Sequence, residues 1–290
     1  MLVKLFSAAG HGVDASTIVV EVNAGGNVIT GKISYWMVGL PDNAIKEGYQ
    51  RIQSAIKNIG YQFPRVKLVI NFAPADIRKE GSYYDLPIAL GILAATRQIS
   101  EERFKDYLIM GELSLDGSLR PFKGVLPIAL LARKENYKGI IVPKINAREA
   151  AIVDGLEIIP VENLFEAAAF MDNRLVIEPI FADSTQEFYQ QQANYVHDFA
   201  DVKGQENIKR ALEIAAAGGH NVILIGPPGA GKTMLAQRLP TILPPLGINE
   251  ALETTKIHSV AGILAADSGL VTSRPFRSPH HTISDIALVG

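Results

Sequence analysis

The chain has 290 residues, 48% of them apolar and 20% charged, with a net charge of −2 and no cysteine. That length and balance leave room for about two domains with real cores. They exclude disulfides, thiolate metal sites and any overall positive field drawing the molecule to nucleic acid, so contact with a polyanion would have to be local. The longest apolar stretch, LPIALGILAA at 86–95, is about half a membrane span and contains a proline. The leading MLVKLFSAAG lacks the long apolar core of a signal peptide. The expectation is a cytoplasmic protein with no membrane partner.

In chain order, residues 1–172 alternate strand and helix signals. IVVEV (18–22) and ISYWMV (33–38) read as strands separated by the glycine turn NAGGN. Asp42 then caps a helix whose apolar side falls at Ile45, Tyr49, Ile52, Ile56 and Ile59, and Gly60 ends it. VKLVINF (66–72) predicts a buried strand and DLPIALGILAAT (85–96) a buried helix with Pro87 in its first turn. DYLIMGELSLDGSLRP reads as a hairpin turning at Asp116-Gly117. VLPIALLARKEN gives another helix, KGIIVP a strand, and short strand and helix signals run on to Met171. Residues 173–198, including FADSTQEFYQQQANYVHD, are polar and Gln-rich without an apolar period, the pattern of a linker. A second domain is expected over 199–290, beginning with a helix from about Glu206 to Ala217 that Gly218-Gly219 ends.

Its centre is GPPGAGKT at 226–233, between the apolar run 222–225, read as a strand, and an amphipathic stretch at 233–239. Strand, glycine loop and helix is the context that gives G-x-x-x-x-G-K-[ST] its meaning. Gly226, Pro227, Pro228, Gly229, Ala230 and Gly231 let the backbone approach phosphates, and successive N–H groups from Gly229 to Thr233 form an anion-binding concavity, with Met234 next in the helix. Lys232 supplies a charge for the β- and γ-phosphates, and the Thr233 hydroxyl is placed to ligate Mg²⁺. The cofactors implied are ATP and Mg²⁺. Hydrolysis needs more: an acidic residue at the end of a following strand, and often an arginine finger. No apolar run ending in Asp-Glu follows Thr233. SVAGILAADSG is nearest, but Asp267 leads into a glycine turn, and DIALVG closes the chain on an incoming strand. The expectation is the front part of a longer protein, or a truncated one.

DFADVKGQENIKRALEIAAAGGHNVILIGPPGAGKTMLAQRLPTILPPL and RPFRSPHHTISDIALVG closely resemble the magnesium-chelatase-like AAA+ proteins of the YifB/ComM family. VGLPDNAIKEGYQRIQSAI and NFAPADIRKEGSYYDLPIALG resemble that family's leading domain, so the likeness covers nearly the whole chain. It implies that Val202 and Gly204, in DVKGQE, lie near adenine. It also implies a homo-hexameric ATPase acting on branched or single-stranded DNA, as ComM-type members do during natural transformation.

The leading domain resembles the proteolytic domain of Lon, a fold shared with ribosomal protein S5. GELSLDGSLRPFKGVLPIALLARKENYKGIIVPK follows the Lon pattern, but KEGSYYD stands where Lon carries K-[DE]-G-P-S-A-G. Tyr83 falls on the nucleophile, Ser82 one residue early, and Leu126 on the dyad lysine, with Lys123 three residues upstream. No peptidase is expected, although Ser82 and Lys123 could pair through a shifted loop. The implied fold is α/β: an α+β Lon-protease/S5-like domain over 1–172, then the start of a P-loop AAA+ domain. The alternatives are a magnesium-chelatase motor subunit and a nucleotide-binding scaffold without turnover.

Smaller signals remain. RPFRSPHHT groups Arg274, Arg277, His280 and His281 as candidates for contact with DNA or a neighbouring subunit. Lys203, Lys209 and Arg210 with Asp201, Glu206 and Glu213 read as a solvated helix face. Trp36 with Tyr35 and Met37 reads as strand packing, and His11 shows no partner.

Overall fold

A computed structural model describes residues 1–25, 35–191, 197–264, 269–279 and 282. They form two compact units, Met1–Ser184 with Thr254–Gly269, and Thr185–Glu253 with Leu270–Gly290.

The first unit is built on a seven-stranded mixed sheet. β1 (Leu2–His11) and β2 (Asp14–Ala24) form a long antiparallel hairpin, from Leu2 opposite Asn23 to His11 opposite Asp14. β3 (Tyr35–Val38), β4 (Leu68–Ala73), β5 (Tyr107–Ile109), β8 (Gly139–Pro143) and β9 (Glu157–Val161) complete the order β3-β4-β2-β1-β5-β8-β9. Four of its six pairings are parallel: β3–β4, β1–β5, β5–β8 and β8–β9. Period-two burial on β2 turns Ile18, Val20, Val22 and Ala24 inward. Opposite parities on β1 serve different helices: Leu5 meets α2 (Asp85–Ala95), and the Phe6 ring lies 5.6 Å from that of Tyr137, just past α3 (Val125–Lys134).

α1 (Asn43–Asn58) follows the sequence pattern closely. Asp42 caps it by accepting from the Ile45 N–H at 2.9 Å, Ile45, Ile52, Ala55 and Ile56 are buried, and Gly60 beyond it holds φ +88°. α2 is buried on every side, which is why its residues after Asp85 are apolar all round. Gly91 allows this contact, because a Cβ there would sit 2.5 Å from Val22 Cγ2 and 2.8 Å from Leu5 Cδ1. The hairpin expected over 106–121 is shorter than its sequence signal. β5 joins the main sheet, and only β6 (Glu112–Leu113) and β7 (Leu119–Arg120) pair around the Asp116-Gly117 turn. α4 (Lys144–Ala150) and α5 (Leu164–Met171) complete the unit.

Within the polar stretch 173–198, Ile180 donates to the Ile158 carbonyl and Ser184–Gln191 forms α6, anchored by buried Phe188. One apolar anchor in eight residues is too sparse to register as a period.

In the second unit α7 (Glu206–Gly218) ends on Gly219 in the left-handed region, and α8 (Lys232–Arg238) follows the glycine loop. Phe199, Val202, Leu212 and Leu235 form its small core, with Leu224, Leu239 and Ile242 packed against it. The strand expected at 222–225 is not formed: Ile223 is 82% and Ile225 88% exposed. A buried strand requires ladder partners on its edges, and among the described residues of this unit there is no other strand. No helix of the described residues is long and apolar enough to cross a membrane.

Candidate functional site

The loop 226–231 is shaped by two glycines in the left-handed region, Gly229 at φ +80° and Gly231 at φ +79°. Ala230 N–H closes a tight turn onto the Pro227 carbonyl at 3.3 Å, and Leu235 N–H returns to the Gly231 carbonyl at 3.0 Å as α8 begins. Lys232 folds back over this loop. Its ammonium donates to the carbonyls of Gly226 at 2.7 Å and Pro227 at 2.8 Å. Among the described residues, no hydrogen bond engages the N–H groups of Gly229, Gly231, Lys232 or Thr233. Unengaged donors beside a fixed cation suit a phosphate chain. Thr233, the second residue of α8, is exposed, and a hydroxyl there suits the hard, oxygen-only coordination of Mg²⁺.

Val202 is buried in the same small core as Leu235 of α8, so packing ties the DVKGQE segment to the glycine-loop helix. Its backbone carbonyl accepts from Lys209 at 3.4 Å. Gly204, at φ +66°, stands in open space. Gln205, which carries no sequence-predicted role, also holds a positive φ of 58°, and its side-chain nitrogen lies 3.9 Å from where a Cβ on Gly231 would sit. Its position one residue past Gly204 in the quoted motif was the available signal. Lys209–Glu206 at 2.8 Å and Arg210–Glu213 at 2.9 Å pair along α7, where the sequence predicts a solvated face, but the Lys209 side chain is only 20% exposed.

The structure separates the arginines of RPFRSPHHT. Arg274 pairs with Glu250 at 3.2 Å and donates to the Pro244 carbonyl at 2.7 Å. Arg277 and Ser278 line an open cleft of about 380 Å³ shared with Lys232 and Thr233. His280 and His281 lie outside the described residues, as do Asp267 and the 285–290 strand signal.

In the first unit the Lon-like positions are occupied by packing groups. Tyr83 stacks at 4.8 Å on Tyr84 and 5.4 Å on Phe122, and burial pushes its phenol above the usual range. Leu126 is fully buried in α3, where its N–H meets Glu149 at 3.4 Å. The Ser82 hydroxyl donates to Glu112, and the Lys123 side chain lies against Gly262. Ser82 and Lys123 thus face different partners. Beside them lies a pair the sequence did not reveal: Arg51 donates to Asp85 from Nε at 2.7 Å and Nη2 at 3.2 Å, and Leu113 N–H adds 3.3 Å. Burial raises the Asp85 carboxyl to about 6, against the lowering influence of Arg51. Gly48 inside α1 makes the room, since a Cβ there would sit 2.3 Å from Asp85 Oδ1; a glycine within a helix was the sequence signal. Two smaller expectations are corrected. Trp36 is 60% exposed on β3 while Tyr35 and Met37 face the core, and His11 has a partner in Ser16 Oγ at 2.9 Å.

Comparison with known proteins adds independent observations. Residues 20–146 match the family described as subunit ChlI of Mg-chelatase, and residues 198–290 match magnesium chelatase, subunit ChlI. The chain is 44% identical to the uncharacterized protein YifB of Escherichia coli, over 97% of this chain and 54% of YifB. It is 39% identical to competence protein ComM of Haemophilus influenzae, over 100% of this chain and 56% of ComM. It is also 29% identical to Lon protease 2 of Bacillus subtilis, over 46% of this chain and 23% of that protein. The chain spans about half the length of the YifB and ComM relatives.

Proposed function

Starting from the fact that this chain belongs to the YifB/ComM family of magnesium-chelatase-like AAA+ ATPases, we propose that its second unit binds ATP with Mg²⁺ in the loop from Gly226 to Met234. In this reading the whole protein is a cytoplasmic, ring-forming, ATP-driven machine that remodels DNA. The observation that carries it is the loop itself: two left-handed glycines, unengaged N–H groups, and Lys232 held over them at the start of a helix. Bound ATP would supply a phosphoanhydride to cleave. The chain's own residues bind and orient it, with backbone donors and Lys232 on the phosphates and Thr233 as a protein oxygen for the metal ion. No carboxylate lines the Lys232–Thr233 cleft among the described residues. In this reading turnover also needs an acidic group from outside this cleft, and the chain alone binds nucleotide and turns it over poorly.

A competence protein among the relatives is what supports this reading; DNA, branched or single-stranded, as the polymer acted on in natural transformation is part of the proposal. The description shared by both family matches favours a second reading, a magnesium-chelatase motor subunit. ATPase assays on the whole protein separate the two. Stimulation by branched DNA, lost in Lys232→Ala, supports the first, whereas stimulation by a porphyrin with a partner subunit and none by DNA overturns it. Turnover absent under every condition would leave the nucleotide as a structural ligand. Peptide hydrolysis has no support, with Tyr83 and Leu126 on the dyad positions.

A further inference from the structure

We infer that the first unit carries a single-stranded nucleic-acid site of its own, in the cleft between the end of α1 and the connector at 60–66. This cleft is about 1030 Å³, at the upper end of the ~300–1,000 Å³ of small-molecule sites, and is open; its walls include Gln53, Lys57, Tyr61, Phe63, Arg65 and Gln98. Its two charged lining residues are both cations, Lys57 and Arg65. Both are exposed, and among the described residues neither takes part in an ion pair or a side-chain hydrogen bond. Elsewhere on this unit cations are commonly paired, as in Lys4–Glu21 at 3.1 Å, Lys138–Glu157 at 3.4 Å and Lys144–Glu162 at 2.6 Å. Asp172, an acid near this region, is engaged by Arg174 at 2.7 Å.

The walls are fixed before any ligand arrives. Tyr61 N–H returns to the Ile56 carbonyl at 3.1 Å. The Gln98 amide clamps the connector from both sides, accepting from Gln62 N–H at 2.9 Å and donating to the Gln62 carbonyl at 2.8 Å. Phe63 packs edge-on against Tyr49 at 5.7 Å, and the Arg174 guanidinium donates to the Tyr61 hydroxyl and lies 5.8 Å from its ring. The result is a held pair of half-buried aromatic faces flanked by two unpaired cations and the amide of Gln53. An acidic peptide would use the cations and leave the rings idle. A single strand uses both, with phosphates on Lys57 and Arg65 and bases stacked on the rings. The site is also a local basic feature of the kind that a chain of net charge −2 requires for binding a polyanion.

This site rests on the reading that the protein acts on DNA but not on the nucleotide loop, and the test keeps them apart. Anisotropy of a labelled oligothymidylate is measured on the 290-residue chain without ATP. Two phosphates neutralised on a single strand give a log–log salt slope near −1.4, about sevenfold weaker binding from 50 to 200 mM salt. Lys57→Gln with Arg65→Gln is expected to remove that slope and weaken low-salt binding at least tenfold. Tyr61→Leu is expected to weaken binding about five- to a hundredfold with the slope kept. Lys232→Ala, defective at the other site, should bind the oligonucleotide as the parent does. Circular dichroism confirms that each variant is folded. Absence of binding by the parent chain, an unchanged affinity and slope in the double variant, or displacement by polyglutamate as effective as by unlabelled oligothymidylate would each overturn the proposal, the last assigning the cleft to an acidic peptide.

Discussion

Replacing Arg51 with methionine is expected to destabilise the first unit in a way that depends on pH. Asp85 is 1% exposed and Arg51 24%, and the guanidinium supplies two of the three hydrogen bonds that the carboxylate receives. Even so, burial raises the Asp85 carboxyl to about 6. The unfolded chain holds it near 3.9, so folding favours the protonated form. This group's contribution is therefore most favourable below about pH 4 and is lost as pH rises through about 6. A shift of about two units corresponds to about 3 kcal/mol. Arg51→Met removes the hydrogen bonds and the charge that hold the carboxyl down, so the folded-state value climbs further. At pH 7.5 the variant must either keep an uncompensated buried charge or take up a proton on folding, a loss of about 3–5 kcal/mol. For a unit of this size that is about 6–20 °C in Tm. The assay is thermal unfolding of parent and variant at pH 5 and pH 7.5, with the larger drop at pH 7.5. Equal drops at the two pH values, or a loss below about 1 kcal/mol at pH 7.5, would refute the assignment of Asp85 as a buried carboxylate dependent on Arg51.

Gly91→Ala places a methyl 2.5 Å from Val22 Cγ2 and should lower stability by about 1–3 kcal/mol in the same melts, whereas unchanged stability would mean that α2 does not press on β2 as described. Gly231→Val forces a β-branched residue to φ +79°, costing about 1–2 kcal/mol, and should weaken ATP binding because the loop is displaced; tight binding by this variant would contradict the left-handed geometry. The chain should not cleave unfolded casein, and Ser82→Ala should change nothing, since that hydroxyl donates to Glu112. Cleavage abolished by Ser82→Ala would show that a working nucleophile had been missed.

The sequence was most informative where an element carries its own pattern. The stripe from Ile45 to Ile56 with Asp42 before it and Gly60 after it defines α1 without help from the rest of the fold, and the unbroken apolar run of α2 announces burial on all sides. It was less informative where neighbours decide. β1 mixes inward Val3 and Leu5 with Lys4 and small alanines, so its alternation is weak, and its strand character comes from ten residues of pairing with β2. The apolar run at 222–225 has the composition of a strand, but composition cannot supply partners. At the glycine loop, residue types alone imply turns at Gly229 and Gly231 and a cation at Lys232. The buried Arg51–Asp85 pair is hard to read because its members stand 34 positions apart, and only Gly48 within α1 hints at it. The cleft at Lys57 and Arg65 is likewise assembled from segments distant in sequence, the end of α1 and the residues after α2.

Isothermal titration of the chain with Mg–ATP, run beside Lys232→Ala, reads out whether the glycine loop holds a nucleotide. One site per chain is expected in the parent, dependent on Mg²⁺, with most of the affinity lost when the ammonium that spans the Gly226 and Pro227 carbonyls is removed. Absence of heat in the parent, or equal binding by parent and variant, would contradict it.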